Sequence, residues 1–166
     1  MPVEIAFITV NYNTCEHLTR LAGFFRSLEV PFTFSFTVVD NGSQDGSQEF
    51  LASHSEIQSL LAGENLGYGR AMNRGIAATG SKYVCVMNTD VILNPQALTA
   101  LWRFMEEHPD AGVVAPRLLY ADGRDQGMVF RPSLPAHYSN GYAKTLAWFG
   151  KRRLRRATQP VRVDGV

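Results

Sequence analysis

Four apolar runs, each followed by a stretch with helical spacing, constrain this chain more than any other feature. The first, Ile5-Ala6-Phe7-Ile8-Thr9-Val10, is nearly continuous in apolar residues, as expected of a strand covered on both faces of a sheet. It ends in Asn11-Tyr12-Asn13-Thr14, where Thr14 is a candidate N-cap for a helix carrying Leu18, Leu21, Phe24, Phe25 and Leu28. The second run, residues 34–39, delivers Asp40-Asn41-Gly42-Ser43. Asp45, or Ser43 before it, would cap the next helix, with Phe50 and Leu51 on its buried side. A weaker run, residues 57–62, leads into Gly63-Glu64-Asn65-Leu66-Gly67-Tyr68-Gly69, after which residues 71–78 read as helix. The fourth run, Tyr83-Val84-Cys85-Val86-Met87, closes on Asn88-Thr89-Asp90. The helix expected over 96–107 would bury Leu98, Leu101, Trp102 and Met105. Residues 111–115 form another candidate strand, Tyr120-Ala121-Asp122-Gly123 suggests a hairpin turn, and 132–140 is loop-rich.

Strand and helix patterns in alternation argue for an α/β fold with a mostly parallel sheet and right-handed crossovers. In such a sheet the carboxyl ends of the strands face the ligand crevice. Polar clusters follow the first, second and fourth strands, so three of them reach one edge. Turns favour Asn and Asp, and a turn would account for Asn88-Thr89-Asp90 taken alone, with Asn94-Pro95 downstream. Three clusters at the same edge point instead to a single ligand site. A short triplet ending in Asp can hold a hard divalent ion against a phosphate, because Mg²⁺ or Mn²⁺ takes oxygen ligands and usually only one or two protein carboxylates.

Five elements carry a family resemblance: Val10-Asn11-Tyr12-Asn13; residues 38–47 (VVDNGSQDGS); residues 64–73 (ENLGYGRAMN); Asn88-Thr89-Asp90; and Pro116-Arg117-Leu118-Leu119 with Asp122-Gly123. In order and spacing they resemble the inverting glycosyltransferases of family 2, especially the rhamnosyltransferase-like branch. The resemblance extends over essentially the whole chain. It implies the GT-A fold, a Rossmann-like, mostly parallel sheet flanked by helices that binds a nucleotide-diphospho-sugar. It also implies that the backbone near Val10 and Tyr12, with Asp40, holds base and ribose, and that Asn41 belongs to the donor site. The segment with Asn65, Gly67, Arg70 and Asn73 would close over nucleoside and diphosphate. Asn88-Thr89-Asp90 takes the place of the family's metal-binding Asp-x-Asp motif with an amide first, so Asp90 is the expected ligand of Mg²⁺ or Mn²⁺ and Asn88 the expected contact to the donor sugar. The donor would be dTDP-rhamnose or a UDP-sugar, and the acceptor a polysaccharide or lipid-linked glycan. The family's general base lies in a later acidic motif, beyond Val166. The expectation is therefore a nucleotide-sugar-binding domain over 1–130, a loop and basic segment over 131–166, and a missing acceptor half, so that this chain alone binds donor and transfers little.

Composition narrows the alternatives. Residues 1–150 carry 10 Lys/Arg and 14 Asp/Glu, a net −4, whereas 151–166 carry 6 and 1, a net +5. Basic residues confined to one end do not form the broad positive face of a nucleic-acid binder. Clustered arginines beside Tyr142, Leu146, Trp148 and Phe149 suit peripheral contact with an anionic membrane through 142–156, although a solvated linker has the same composition. With no basic-then-apolar leader and no apolar stretch of spanning length, the chain reads as cytoplasmic. Cys15 and Cys85 are too few for a disulfide framework. His17, His54 and His137 show no metal-ligand spacing, and His108 sits at an expected helix end. Two other classes share parts of this pattern: a non-catalytic nucleotide-sugar-binding module, and a nucleotidyltransferase, which would normally show a Gly-rich basic loop after the first strand.

Overall fold

The computed structural model describes residues 2–126. Eight elements alternate: β1 (Ile5–Asn11), α1 (Cys15–Arg26), β2 (Phe34–Asp40), α2 (Ser47–Ala52), β3 (Gln58–Leu61), α3 (Tyr68–Ala77), β4 (Tyr83–Met87) and α4 (Pro95–Glu107). The four strands form one parallel sheet in the order β3-β2-β1-β4. In register, Asn11 lies opposite Asp40, and Thr9 lies opposite both Val38 and Met87. The polar residues after β1, β2 and β4 thus leave the sheet at one level, as the sequence predicts.

The sheet is covered unequally. One face carries Ile5, Phe7, Phe36, Val38 and Met87, packed with Leu18, Leu21, Phe25, Leu51 and Leu98 of the helices. Aromatic rings dominate there: Phe25 stacks on Phe36 with centroids 4.3 Å apart and tilts against Phe7 at 4.9 Å. The other face is smaller, with Ala6, Ile8 and Val39 meeting Ala71 and Met72 of α3. That helix approaches closely because Gly75 has no side chain. A Cβ there would lie 2.6 Å from Ile8 Cγ2 and 2.9 Å from Val39 Cγ2, distances that real side chains do not tolerate.

Sequence-predicted boundaries shift where local chemistry wins. Residues 68–70 join α3, which therefore begins before Ala71, with Gly67 at its N-cap position at φ +79°. At α4, Asn94 accepts hydrogen bonds from the N–H groups of Gln96 (2.8 Å) and Ala97 (3.2 Å), and Pro95 fills the first helical turn where its missing N–H costs nothing. Of the four side chains expected to be buried on this helix, Leu98 is buried and Leu101, Trp102 and Met105 are half-buried. In β4, Val84 and Val86 are 40% and 48% exposed, unlike the buried residues of β1. Cys85, on its covered side, has its thiol pushed up to about 11 by burial, which suits a structural rather than reactive sulfur.

The chain divides into two compact units, the first ending at Arg103 and the second beginning at Phe104. In the second, His108 stacks on Phe104 at 4.1 Å and its Nδ1 donates to the Phe104 carbonyl at 2.9 Å, satisfying a carbonyl at the end of α4. No strand forms over 111–115, contrary to the apolar pattern, and Val113 is 88% exposed. The expected turn is present: Leu119 and Asp125 form an antiparallel bridge around Gly123, whose φ is +82°. The expectations for 132–140, 142–156 and the end of the chain lie outside the described residues. Among those described, no helix is long and apolar enough to cross a membrane.

Candidate donor-binding site

Loops leaving β1, β2 and β4 and the entrance to α3 enclose a cavity of about 410 Å³. Its walls are Val10, Tyr12, Thr14 and His17 from the first βα unit, Asn41 after β2, Asn65 and Tyr68 before and in α3, and Asn88, Thr89 and Asp90 after β4. The three polar clusters therefore meet at one place. Tyr12 and Tyr68 are each nearly half exposed, which leaves ring surface for a planar group.

A directed hydrogen-bond chain fixes the floor of this cavity. Asp40, fully buried, accepts from Asn11 Nδ2 (3.0 Å), the N–H groups of Gly42 (3.2 Å) and Ser43 (3.0 Å), and Gln48 Nε2 (3.2 Å). Because a carboxylate here only accepts, the Asn11 amide must turn its nitrogen to Asp40 and its oxygen toward Thr14, whose hydroxyl donates to it at 2.7 Å. Thr14 has one hydroxyl hydrogen and has spent it, so at the 3.1 Å contact between Thr14 and Thr89 the donor is Thr89. Thr89, Thr14, Asn11 and Asp40 thus tie the β4 loop to the β2 loop in one polarity.

The second lock lies at the α3 entrance. Asn41, buried, donates to Asn65 Oδ1 (2.8 Å) and accepts from the Leu66 N–H (2.9 Å), while Asn65 Oδ1 also accepts from the Gly67 N–H (2.9 Å). Gly42 lets this loop approach: its φ is +87°, and a Cβ on it would sit 3.0 Å from the backbone of Glu64.

The structure gives the expected residues different positions. Val10, Tyr12, Asn41, Asn65, Asn88 and Asp90 line the cavity; Asp40 does not, since its carboxylate is committed below it. Gly67 shapes the entrance to α3, and Arg70 and Asn73 are exposed on that helix outside the cavity lining. Four lining residues had no role of their own in the sequence: Thr14 was expected as an N-cap, His17 as a structural or solvated side chain, and Tyr68 and Thr89 only as members of their motifs. Thr14 does stand at the N-cap of α1, but its hydroxyl serves the network rather than the helix. The cap comes from another loop, where Asp45 Oδ2 accepts the Cys15 N–H at 2.8 Å.

The cavity suits a phosphorylated ligand bound with a divalent ion. Asp90 and Asn88 offer a carboxylate and an amide oxygen at one end, the hard donors that Mg²⁺ or Mn²⁺ prefers. Among the described residues no group of three or more His, Cys, Asp or Glu could hold an ion.

A sequence profile described as glycosyl transferase family 2 matches residues 7–160. The chain belongs to this family. A curated relative is 34% identical over 129 residues, 70% of this chain and 41% of its own length: N-acetylglucosaminyl-diphospho-decaprenol L-rhamnosyltransferase of Mycobacterium tuberculosis. The family 2 chain here thus spans less than half of that relative. Among solved structures, S. aureus TarS 1–349 in complex with UDP-GlcNAc aligns over 72% of this chain and 38% of its own, with 18% identity and a TM-score of 0.57. The mannosyltransferase PcManGT of Pyrobaculum calidifontis, in complex with GDP-Man and Mn²⁺, aligns over 63% and 33%, with 16% identity and a TM-score of 0.53. These likenesses show the GT-A fold expected from the sequence.

Proposed function

We propose that this chain provides the donor-binding part of an inverting glycosyltransferase that moves a sugar, with rhamnose the first candidate, from a nucleoside diphosphate to a lipid-linked glycan. The observation that carries the reading is the convergence of Tyr12, Asn41, Asn65, Asn88 and Asp90 on one cavity at the carboxyl edge of a parallel sheet. The M. tuberculosis relative, named for rhamnosyl transfer to a lipid-linked N-acetylglucosamine, supports both donor sugar and acceptor class. Solved neighbours that hold UDP-GlcNAc, or GDP-Man with Mn²⁺, support a nucleotide sugar and a divalent ion without choosing the base.

In this reading the base and ribose lie between Tyr12 and the Asn41–Asn65 pair, the diphosphate faces Asn88–Asp90, and Asp90 holds Mg²⁺ or Mn²⁺. The ion supplies charge neutralisation for the departing nucleoside diphosphate. Gly67, Arg70 and Asn73 act at the entrance to α3, where the exposed Arg70 adds positive charge. Peripheral membrane contact through 142–156 rests on the sequence of that segment and would bring the site to a lipid-borne acceptor.

Calorimetric titration with dTDP, UDP and GDP, each with and without Mn²⁺, tests this. The expected outcome is metal-dependent binding of at least one nucleotide, weakened about tenfold or more by Asp90→Ala, as loss of a charged ligand in a metal site implies. A folded chain that binds none of the three would overturn the reading.

A further inference from the structure

Histidine 17 stands in the first turn of α1 and lines the same cavity as Asn88, Thr89 and Asp90. Arg20 Nη2 lies 3.1 Å from His17 Nδ1, and a guanidinium can only donate, so Nδ1 accepts and the ring proton sits on Nε2. The same guanidinium nitrogen makes a long 3.5 Å contact to the backbone carbonyl of Asp90. One arginine therefore ties the imidazole of α1 to the loop that ends β4. The described lining offers few alternatives for gripping an anion: among its ten described residues none is Lys or Arg, and the side-chain donors are hydroxyls, amides and this one imidazole.

We propose that His17 is a further donor-site residue, whose Nε2–H donates to a phosphate oxygen of the nucleoside diphosphate bound against Asn88–Asp90, with Arg20 as the positioning residue that fixes the tautomer. The inference rests on the donor-site reading above and adds to it a neutral hydrogen-bond donor on the phosphate side. With Nδ1 engaged by Arg20, the inference assigns His17 to binding and orientation.

Binding of the preferred nucleoside diphosphate with Mn²⁺ is measured for the wild type, His17→Phe, which keeps a flat ring without the donor, and His17→Gln, which restores an N–H near the Nε2 position. The corresponding nucleoside is titrated in parallel, and thermal unfolding checks that each variant is folded. Expected is a roughly three- to tenfold loss of diphosphate affinity in His17→Phe, the scale of one neutral hydrogen bond, with nucleoside affinity unchanged and His17→Gln closer to wild type. Unchanged diphosphate affinity in His17→Phe, or equal losses for diphosphate and nucleoside, would overturn the assignment. So would a loss seen only with the intact nucleotide sugar, since that locates the contact on the sugar. These outcomes leave the donor-site reading standing, whereas a wild type that binds no nucleotide removes both.

Discussion

Asp40 shows how a residue can be visible in a sequence and still have its role set by burial. The run Val38-Val39-Asp40-Asn41 places a carboxylate at the end of a strand, where a ligand contact is the natural expectation. The fold instead surrounds both oxygens with four donors and buries the side chain completely. Asp40→Asn would turn an amide N–H₂ toward at least one of these donors, leaving buried hydrogen-bonding groups unsatisfied. The expected result is a loss of about 1–3 kcal/mol in stability, read from the urea midpoint. Full stability with weakened nucleotide binding would instead return Asp40 to direct ligand contact. Asn41, Asn65, Asn88 and Asp90 were legible because turn-forming residues after strands in a parallel sheet must collect at one edge. His17 was not, because its place in the cavity depends on how α1 packs beside the β4 loop, and no local spacing records that.

At the scale of elements, Asp45 joins two helix starts with one side chain. Oδ2 accepts the Cys15 N–H at the head of α1, while Oδ1 accepts both the N–H (3.2 Å) and the hydroxyl (2.5 Å) of Ser47 at the head of α2. The sequence expects Asp45 or Ser43 as the cap of α2, whereas Gly46 occupies the N-cap position and Asp45 reaches Ser47 from one residue before it; the bond to Cys15 spans thirty positions, so no local pattern records it. Burial pushes the Asp45 carboxyl up, but the hydrogen bonds from Ser47 and Cys15 outweigh it and the net shift is downward. A carboxyl held below its unfolded value adds stability that is fully present above that unfolded value and is lost as pH falls through the folded one. Asp45→Ala is therefore expected to cost about 1–2 kcal/mol near neutral pH, the range of a lost N-cap. In acid denaturant titrations that difference should shrink as the pH falls below the ordinary aspartate range. A difference independent of pH would mean that packing, and not the carboxylate, joins the helices. The failed strand over 111–115 has the opposite lesson: an apolar pattern specifies a surface to be covered, but a strand also needs a neighbour's backbone, and Gly112 gives no side chain to hold one.

For the whole molecule, the decisive number is one. Among the described residues that line the cavity Asp90 is the only carboxylate, and in the proposed site it serves the metal. A single displacement at the anomeric carbon also needs a group to take the acceptor hydroxyl's proton, and His17 Nδ1 is engaged by Arg20. Outside the described residues the chain contains one more carboxylate, Asp164. The 166-residue chain is accordingly expected to bind a nucleotide sugar in the presence of Mn²⁺ while releasing nucleoside diphosphate no faster than the uncatalysed background, with or without a lipid-linked acceptor. Binding is read by calorimetry and turnover by nucleoside diphosphate release. Turnover above background that Asp164→Asn abolishes would assign the base to this chain. Turnover that survives this substitution but disappears in His17→Gln would overturn the tautomer argument. If neither substitution matters, a proton acceptor other than Asp164 or His17 completes the site. Metal-dependent binding with only background release would separate donor capture by the β1, β2 and β4 loops from the chemistry that follows.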